Sequence, residues 1–282
     1  MLRVARIPYL NSAPFYRTVA AQVDLLDLPP RQLGVAAREG AVDAGILSMC
    51  DIFRIPGLTS LGDLGVAVSG PSHSVLLFTR ERPEMLAGGT VGVTSETSTS
   101  FPLLRLLLAE LLRVPEVTYE RRLAPASQAG QLLIGDDALR AAAVGGLLPG
   151  RDAYGPDPIA LSESSEQPWR WALDLGAAWC AWQSMPFVFA EWVVRDSVES
   201  ARREELAGTL HDSLDWSEAN LGAVALATEG MAGLDAAAAE AYLRGFTYRL
   251  GRSERRAIEL FREMIESSPW WQTEAMMTRQ GT

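Results

Sequence analysis

The sequence contains no lysine: all 25 basic residues of the 282-residue chain are arginines. It also holds only two histidines, His73 and His211, and two cysteines, Cys50 and Cys180. The lack of lysine excludes Schiff-base and pyridoxal chemistry and also a P-loop, whose lysine must reach nucleotide phosphates. Two histidines and two distant cysteines do not fit a Cys/His zinc site, whereas these counts leave a His/carboxylate site open. We expect no metal. Whether the two thiols meet is left open.

Acidic residues outnumber basic ones by 35 to 25, which gives a formal net charge of −10. Nothing in such a chain would neutralise phosphates, so we expect neither nucleic acid nor an anionic membrane as a partner. The N-terminal residues carry no long apolar run, and no segment approaches the roughly 20 apolar residues that cross a bilayer. We therefore expect a cytoplasmic protein without a secretory signal, and the sequence does not indicate its oligomeric state.

Short apolar segments alternate with helical ones along the first two thirds of the chain. The β-α-β-α-β rhythm of the first 60 residues predicts a parallel sheet with helices on its faces, and a second such run follows Thr90. After an apolar strand at 187–194 the pattern is helical to the end. We predict an α/β protein with lobe I at 1–80 plus 188–282, lobe II at 81–187, and a ligand cleft between them.

Two polar residues lie at strand ends, where a cleft would open. Asn11 follows the first strand, and its amide is suited either to capping a helix or to binding a ligand. Ser74 stands beside His73, but adjacent side chains on a strand point to opposite faces, so the histidine does not easily activate the serine. Since no G-x-S-x-G elbow is present, we favour a ligand-binding hydroxyl over a hydrolase triad, with a backbone-satisfying serine as the simpler role.

A run of hydroxyl residues leads into a leucine-rich helix, and it comprises Thr97, Ser98, Thr99 and Ser100. Capping needs only one of these hydroxyls, and a helix N-terminus binds a carboxylate or phosphate without lysine. The run therefore predicts an anion site. Asp136 stands where a later strand passes into a helix, where it could cap that helix, order a cleft loop or act as a base, and of these roles we favour capping. Glu191 interrupts an apolar strand and is expected to face solvent.

Together these segments resemble the MqnA-type chorismate dehydratases of the futalosine route to menaquinone. The matching pieces keep their order from residue 3 to about 195, and they are Tyr9-Leu10-Asn11 with Pro14, Gly70-Pro71 with Ser74-Val75-Leu76, Thr97 to Ser100, Leu133 to Asp136 with Ala138-Leu139, Asp174-Leu175-Gly176 with Trp179 and Trp182, and Pro186 to Ala190 with Trp192. Two departures stand out. Ser98 replaces an arginine of the family pattern, which leaves open how one substrate carboxylate is held. Gln183-Ser184-Met185 replaces a Thr-Gly-Leu and suggests a reshaped cleft floor or hinge.

The resemblance implies a type-2 periplasmic-binding-protein fold, with mixed sheets flanked by helices, a ligand cleft between two lobes and a helical C-terminal part. It implies a cofactor-free carbon–oxygen lyase that converts chorismate, a small dianion, to 3-[(1-carboxyvinyl)oxy]benzoate in menaquinone biosynthesis. The family's cleft asparagine and serine fall on Asn11 and Ser74, the expected catalytic residues. The expected substrate-binding residues are Tyr9, Ser72, His73, Thr97, Ser98, Thr99, Ser100 and Asp136.

Two other functions stay open at this point. One is a 1,4-dihydroxy-6-naphthoate synthase of the same family, for which the resemblance implies a different N-terminal motif and a cleft histidine. His73 is the local candidate for that histidine. The other is a non-catalytic binding protein or sensor for a small aromatic or carboxylic acid. The base of the reaction is also open, and a carboxylate of the substrate itself is one candidate.

Overall fold

The computed structural model describes residues 1–19, 23–152 and 154–271, which form two six-stranded sheets flanked by helices. The strands are β1 (Arg3–Arg6), β2 (Asp24–Asp27), β3 (Ala44–Ser48), β4 (Leu58–Val68), β5 (Val75–Thr79), β6 (Thr90–Val93), β7 (Thr118–Glu120), β8 (Gly130–Ile134), β9 (Ile159–Ala160), β10 (Trp171–Asp174), β11 (Phe187–Arg195) and β12 (Phe246–Arg249). The α-helices are α1 (Pro30–Arg38), α2 (Met49–Ile52), α3 (Ser100–Leu106), α4 (Gly135–Val144), α5 (Leu175–Gln183), α6 (Ser200–Ala219), α7 (Leu221–Ala227), α8 (Ala236–Arg244) and α9 (Arg252–Glu266). Short 3-10 helices lie at Leu10–Phe15, Pro83–Met85 and Met231–Gly233, and a π-helical segment at Leu107–Leu111 continues α3.

The first sheet has the strand order β12-β4-β11-β3-β1-β2. Its β1 pairs in parallel with β2 and β3, as the β-α-β rhythm predicts. The long β11 lies antiparallel between β3 and β4, so the sheet is mixed. All five residues of β3 are buried, since helices cover both faces of a strand in the middle of such a sheet.

The second sheet repeats this plan with the order β7-β6-β8-β5-β10-β9. Here β6 pairs in parallel with β7 and β8, whereas β5 lies antiparallel between β8 and β10. Both β5 and β8 are buried along their whole length, which explains their nearly continuous apolar sequences. The carboxyl ends of β1 and β6 lead into the two polar segments singled out from the sequence, at Asn11 and Thr97.

The chain passes between the sheets twice. It leaves the first sheet after β4 through residues 69–74, and it returns through α5, which joins β10 to β11. The sequence predicts that lobe I extends to residue 80, but β5 pairs with β8 and β10 and thus belongs to the second sheet. The reversal before β5 is sharp, since His73 adopts a left-handed φ of 57°.

The C-terminal part is helical, as expected, except at β12. This strand pairs antiparallel with β4 at the edge of the first sheet, so the expectation of helix from residue 195 to the end is wrong at this point. The four-residue strand is too short for an alternating pattern to separate it from the helices on either side. Within the described residues, no helix combines the length and apolarity needed to span a membrane.

Helix α9 packs against α5 and β11, which form the return crossing. The Phe261 ring meets the Trp179 ring at a centroid distance of 5.8 Å and the Phe187 ring at 5.0 Å, both edge to face. On the same helix, Arg255 pairs with Glu191 at 2.6 Å. Glu191 is only 4% exposed, so the expectation that it faces solvent is wrong: an arginine from a distant helix neutralises it inside the fold. Cys50 is buried and Cys180 is partly exposed, and they form no disulfide with each other.

Candidate functional site

A cavity lies between the two sheets, with an empty volume of about 610 Å³ that includes its opening to solvent. Seven of the ten residues expected at the site line it: Tyr9, Asn11, Ser74, Thr97, Ser98, Thr99 and Ser100. Ser72, His73 and Asp136 are not among its lining residues. Apolar side chains and two further serines, Ser12 and Ser48, complete the wall, and none of the described lining residues carries a charge.

Asn11 lies on the 3-10 helix Leu10–Phe15 that follows β1. Its side chain does not cap this helix, whose N-cap position is Tyr9 without a side-chain hydrogen bond, so the capping role is wrong. A contact with α4 fixes this turn in place: the Leu10 N–H donates a hydrogen bond to Asp136 Oδ1 at 3.1 Å. Asp136 therefore orders the loop that carries Asn11, and it does not cap α4. Burial raises the pKa of the Asp136 carboxyl, while this hydrogen bond lowers it.

Ser74 precedes β5, and its hydroxyl has two partners. Tyr242 Oη of α8 donates to Ser74 Oγ at 2.8 Å, and Ser74 Oγ donates to the Ser72 carbonyl at 3.2 Å. The Asn11 amide also approaches the Tyr242 hydroxyl as a hydrogen-bonding partner. Burial raises the pKa of Tyr242, so its hydroxyl stays protonated. Tyr242 carries no sequence signal, since it lies 168 residues from Ser74 on an alanine-rich helix.

Ser72 and His73 form the crossing behind the cavity. Asp174, which is fully buried, accepts hydrogen bonds from the Ser72 N–H at 3.0 Å, the Ser72 hydroxyl at 3.1 Å and the His73 N–H at 2.7 Å. The His73 ring packs edge to face on Tyr154 at 4.2 Å, and burial lowers its pKa. Their position supports a structural role in place of the expected substrate contact, and the geometry contains no Ser74–His73 pair for nucleophilic catalysis.

The hydroxyl segment before α3 forms another part of the cavity wall. Thr97 Oγ1 is buried and has no hydrogen-bond partner, so it is available to a molecule in the cavity. Thr99 Oγ1 accepts from the Cys50 N–H of the first lobe at 3.3 Å. The Ser98 hydroxyl bonds to Asp51 and lowers the pKa of that carboxyl, which burial raises. Only part of the run is therefore free to bind a ligand.

Charged groups stand behind the lining residues. Arg121 Nη1 donates to the Thr97 carbonyl at 3.1 Å, which places a cation behind the hydroxyl segment. The Tyr9 hydroxyl donates to Glu96 across the cavity mouth. Asp51 accepts from the Ser48 hydroxyl at 2.6 Å and lies 3.9 Å from the guanidinium of Arg38. None of these charged groups could be predicted from the sequence, since they come from separate loops and helices with no local motif.

The comparisons with known proteins agree on one family. A family model described as menaquinone biosynthesis matches residues 2–267. A curated protein from Thermus thermophilus, a chorismate dehydratase, is 31% identical over 277 residues, which cover 92% of this chain and 95% of that protein. The sequence relationship thus extends through the C-terminal helices, beyond the segments whose motifs carry the resemblance.

Solved structures show the fold. Protein AF1704 from Archaeoglobus fulgidus superposes with a TM-score of 0.73 at 16% identity, covering 94% of this chain and 97% of that one. The alkanesulfonate-binding protein SsuA from Xanthomonas axonopodis, bound to MOPS, gives 0.62 at 14% identity, covering 94% and 91%. A Candida albicans protein described as having the generic periplasmic binding protein fold gives 0.54 at 12% identity, covering 99% and 94%. The predicted two-lobed, periplasmic-binding-protein-like fold is confirmed.

Proposed function

This chain belongs to the menaquinone biosynthesis family, and from that membership we propose that it is a chorismate dehydratase. The observation that carries the proposal is its 31% identity to the Thermus thermophilus enzyme over 92% of its length. The reaction is the loss of water from chorismate to give 3-[(1-carboxyvinyl)oxy]benzoate. It belongs to the futalosine route to menaquinone, and we propose that it takes place in the cytoplasm.

The dehydration needs few catalytic groups from the protein. The ring carbon that bears the enol ether loses its proton, and the electrons of that C–H bond form a new ring double bond. The neighbouring carbon loses its hydroxyl, which leaves as water, and the ring becomes aromatic. Aromatisation favours the product strongly, so the enzyme has to bind a dianion, assist the leaving hydroxyl and exclude the rearrangement that chorismate undergoes readily.

The wall formed by Thr97 to Ser100 suits one substrate carboxylate. It offers the unpartnered Thr97 hydroxyl and the first N–H groups of α3, where the helix dipole favours an anion. Arg121 lies behind Thr97 and supplies positive charge close to a site where the family pattern has an arginine in place of Ser98. We propose that Arg121 offsets part of that loss through the Thr97 backbone.

Asn11 and Ser74 suit the reacting part of the substrate. Both line the cavity, both contact the Tyr242 hydroxyl, and both carry donors for the leaving hydroxyl or for developing negative charge. None of the described lining residues is a histidine or a carboxylate. We therefore propose that a carboxylate of the substrate removes the ring proton, so that the protein orients the molecule but supplies no base.

Two alternatives have less support. A naphthoate synthase of the family is expected to use a cleft histidine, but His73 lies outside the cavity lining and His211 lies on α6 at the edge of the first sheet. A binding protein or sensor without activity would have the same fold as SsuA, which is described with MOPS bound. The assay that follows separates both alternatives from the dehydratase.

The test is turnover of chorismate by the purified chain, followed by ultraviolet absorbance, with the product identified by mass and an enzyme-free sample to measure spontaneous rearrangement. We expect Asn11→Ala and Ser74→Ala each to lower kcat/KM by about 10²-fold or more, the usual effect of removing a donor to developing charge. The matched control is Ser69→Ala, an exposed serine in the same crossing outside the cavity, which should have wild-type activity.

The outcomes separate the proposals. A thermal shift with chorismate but no product would identify a binding protein. No turnover and no shift would refute chorismate as the ligand. Full activity of Asn11→Ala and Ser74→Ala would refute the residue roles but leave the dehydratase standing.

A further inference from the structure

We propose that Tyr242 is a positioning residue of this site, whose buried hydroxyl sets the orientation of the Ser74 hydroxyl and the Asn11 amide toward the substrate. The inference rests on the function proposed above. Tyr242 lies on α8, in the C-terminal part of the chain, beyond the segments that carry the family motifs. It makes a distant helix part of the arrangement that acts on the substrate.

The contacts place Tyr242 directly behind the two residues. Its hydroxyl lies 2.8 Å from Ser74 Oγ, and the Asn11 amide approaches the same hydroxyl. The side chain is completely buried, and the ring is fixed edge to face against Phe246 at 5.0 Å. Because Phe246 itself lines the cavity, the tyrosine is the next layer behind the wall at this point.

The direction of the hydrogen bonds gives Tyr242 a chemical role. A hydroxyl has one proton and two lone pairs, and Ser74 uses one lone pair to accept from Tyr242. Its own proton points to the Ser72 carbonyl at 3.2 Å, a long contact for two oxygens. A substrate oxygen in the cavity is a better acceptor, so Ser74 donates to it while still accepting from Tyr242. The hydrogen bond from Tyr242 polarises the Ser74 hydroxyl and so strengthens the bond that Ser74 donates to the substrate.

Burial alone does not explain a hydroxyl at this position. Tyr154 and Tyr248 also carry buried hydroxyls, and neither has a hydrogen-bond partner. The fold therefore tolerates buried tyrosine hydroxyls without using them. The hydroxyl of Tyr242 differs because it reaches both polar residues on this side of the cavity.

The first test is Tyr242→Phe, which removes one oxygen and keeps the ring. We expect kcat for chorismate to fall by about 10- to 100-fold, the scale of a small loss of alignment, while KM changes by less than about threefold. The control is Tyr248→Phe, which removes a partnerless hydroxyl from a neighbouring buried cluster and should leave both constants unchanged. A purely structural role for Tyr242 predicts a lower fraction of active protein, with kcat per active site unchanged.

The second test asks whether Tyr242 acts through Ser74. In a Ser74→Ala background, adding Tyr242→Phe should lower kcat by less than the 10- to 100-fold expected in the wild-type background, because Ser74 is gone and Asn11 alone remains to be oriented. The double variant also removes both partners of the bond together, so it remains informative even if Tyr242→Phe alone folds poorly.

Wild-type turnover decides the proposed function, and the ratios between variants decide this inference. A wild-type chain without chorismate dehydratase activity would remove the function on which the inference rests. With wild-type activity present, an unchanged kcat in Tyr242→Phe would overturn the positioning role. A full additional loss in the double variant would overturn it as well.

Discussion

Replacing Gly135 with alanine should lower the stability of the fold and deform the cavity, because two features of the structure require a residue without a side chain at this position. The residue opens α4 with a φ of +58°, a left-handed conformation that side chains other than glycine disfavour. A Cβ at this position would stand 2.7 Å from two carbons of the Tyr9 ring. That ring lines the cavity, and its hydroxyl joins the lobes through Glu96.

The two effects have separate magnitudes. The left-handed conformation costs alanine roughly 1–2 kcal/mol. The clash requires the Tyr9 ring to retreat by about 0.7 Å, the difference between 2.7 Å and ordinary contact at 3.4 Å. Overpacking of this kind costs typically about 1–3 kcal/mol, so Gly135→Ala should lose about 2–5 kcal/mol in total.

Gly88→Ala is the matched control, since Gly88 has a φ of +71° but nothing within 4 Å of an added Cβ. It should lose only the roughly 1–2 kcal/mol of the backbone conformation. Both stabilities are measured by guanidinium unfolding followed by tryptophan fluorescence. A shift of the Tyr9 ring should also lower kcat/KM for chorismate by about tenfold or more in Gly135→Ala alone. Equal stability losses and equal activities in the two variants would refute the close approach of Tyr9 to Gly135.

Two further predictions concern charged groups behind the cavity wall. Burial raises the pKa of Asp51 above 3.8, so the stability this group gives is present below about pH 3.8 and is lost as pH rises through the raised pKa. Asparagine does not ionise, so the melting temperature of Asp51→Asn minus that of the wild type should be larger at pH 8 than at pH 4. The same difference in melting temperature at both pH values would contradict this. Arg121→Gln removes the cation behind Thr97 and should raise KM for chorismate by about tenfold, or about 1.4 kcal/mol of binding. Arg122→Gln removes an exposed arginine of the same loop and should leave KM unchanged; equal KM values for the two variants would argue against Arg121.

The sequence predicts the fold well wherever a strand is buried on both faces. The buried β3, β5, β8 and β11 each produce an apolar run that stands out from its surroundings. The short β12 was missed because an edge strand of four residues needs no such run, and its pairing with β4 is decided by tertiary contacts. Glu191 was misjudged because its partner Arg255 lies 64 residues away.

In the candidate site, too, some residues could be predicted from the sequence and others could not. Asn11, Ser74 and the hydroxyl segment lie next to strand ends, and strand ends are recognisable in a sequence, so their place in the cavity could be predicted. The roles of Ser72 and His73 could not be, because they depend on Asp174, about 100 residues further along the chain. Tyr242 was missed for the same reason. Contacts between distant elements leave no local pattern from which a single sequence reveals them.

Asp174 also constrains how the cavity can open. Its carboxylate bonds the first crossing at Ser72 and His73, and it caps α5 of the second crossing through the Ala177 N–H at 3.0 Å. The Asp174 side chain thus links the two connections between the sheets through hydrogen bonds. Any rotation of one lobe against the other therefore has its axis near this carboxylate. Displacement in a rotation grows with distance from the axis. Ser74, next to this axis, would move little, and the segment around Thr97, which follows β6 two strands away in the same sheet, would move further. Closure would therefore change the contacts of a carboxylate at Thr97 more than the contacts at Ser74.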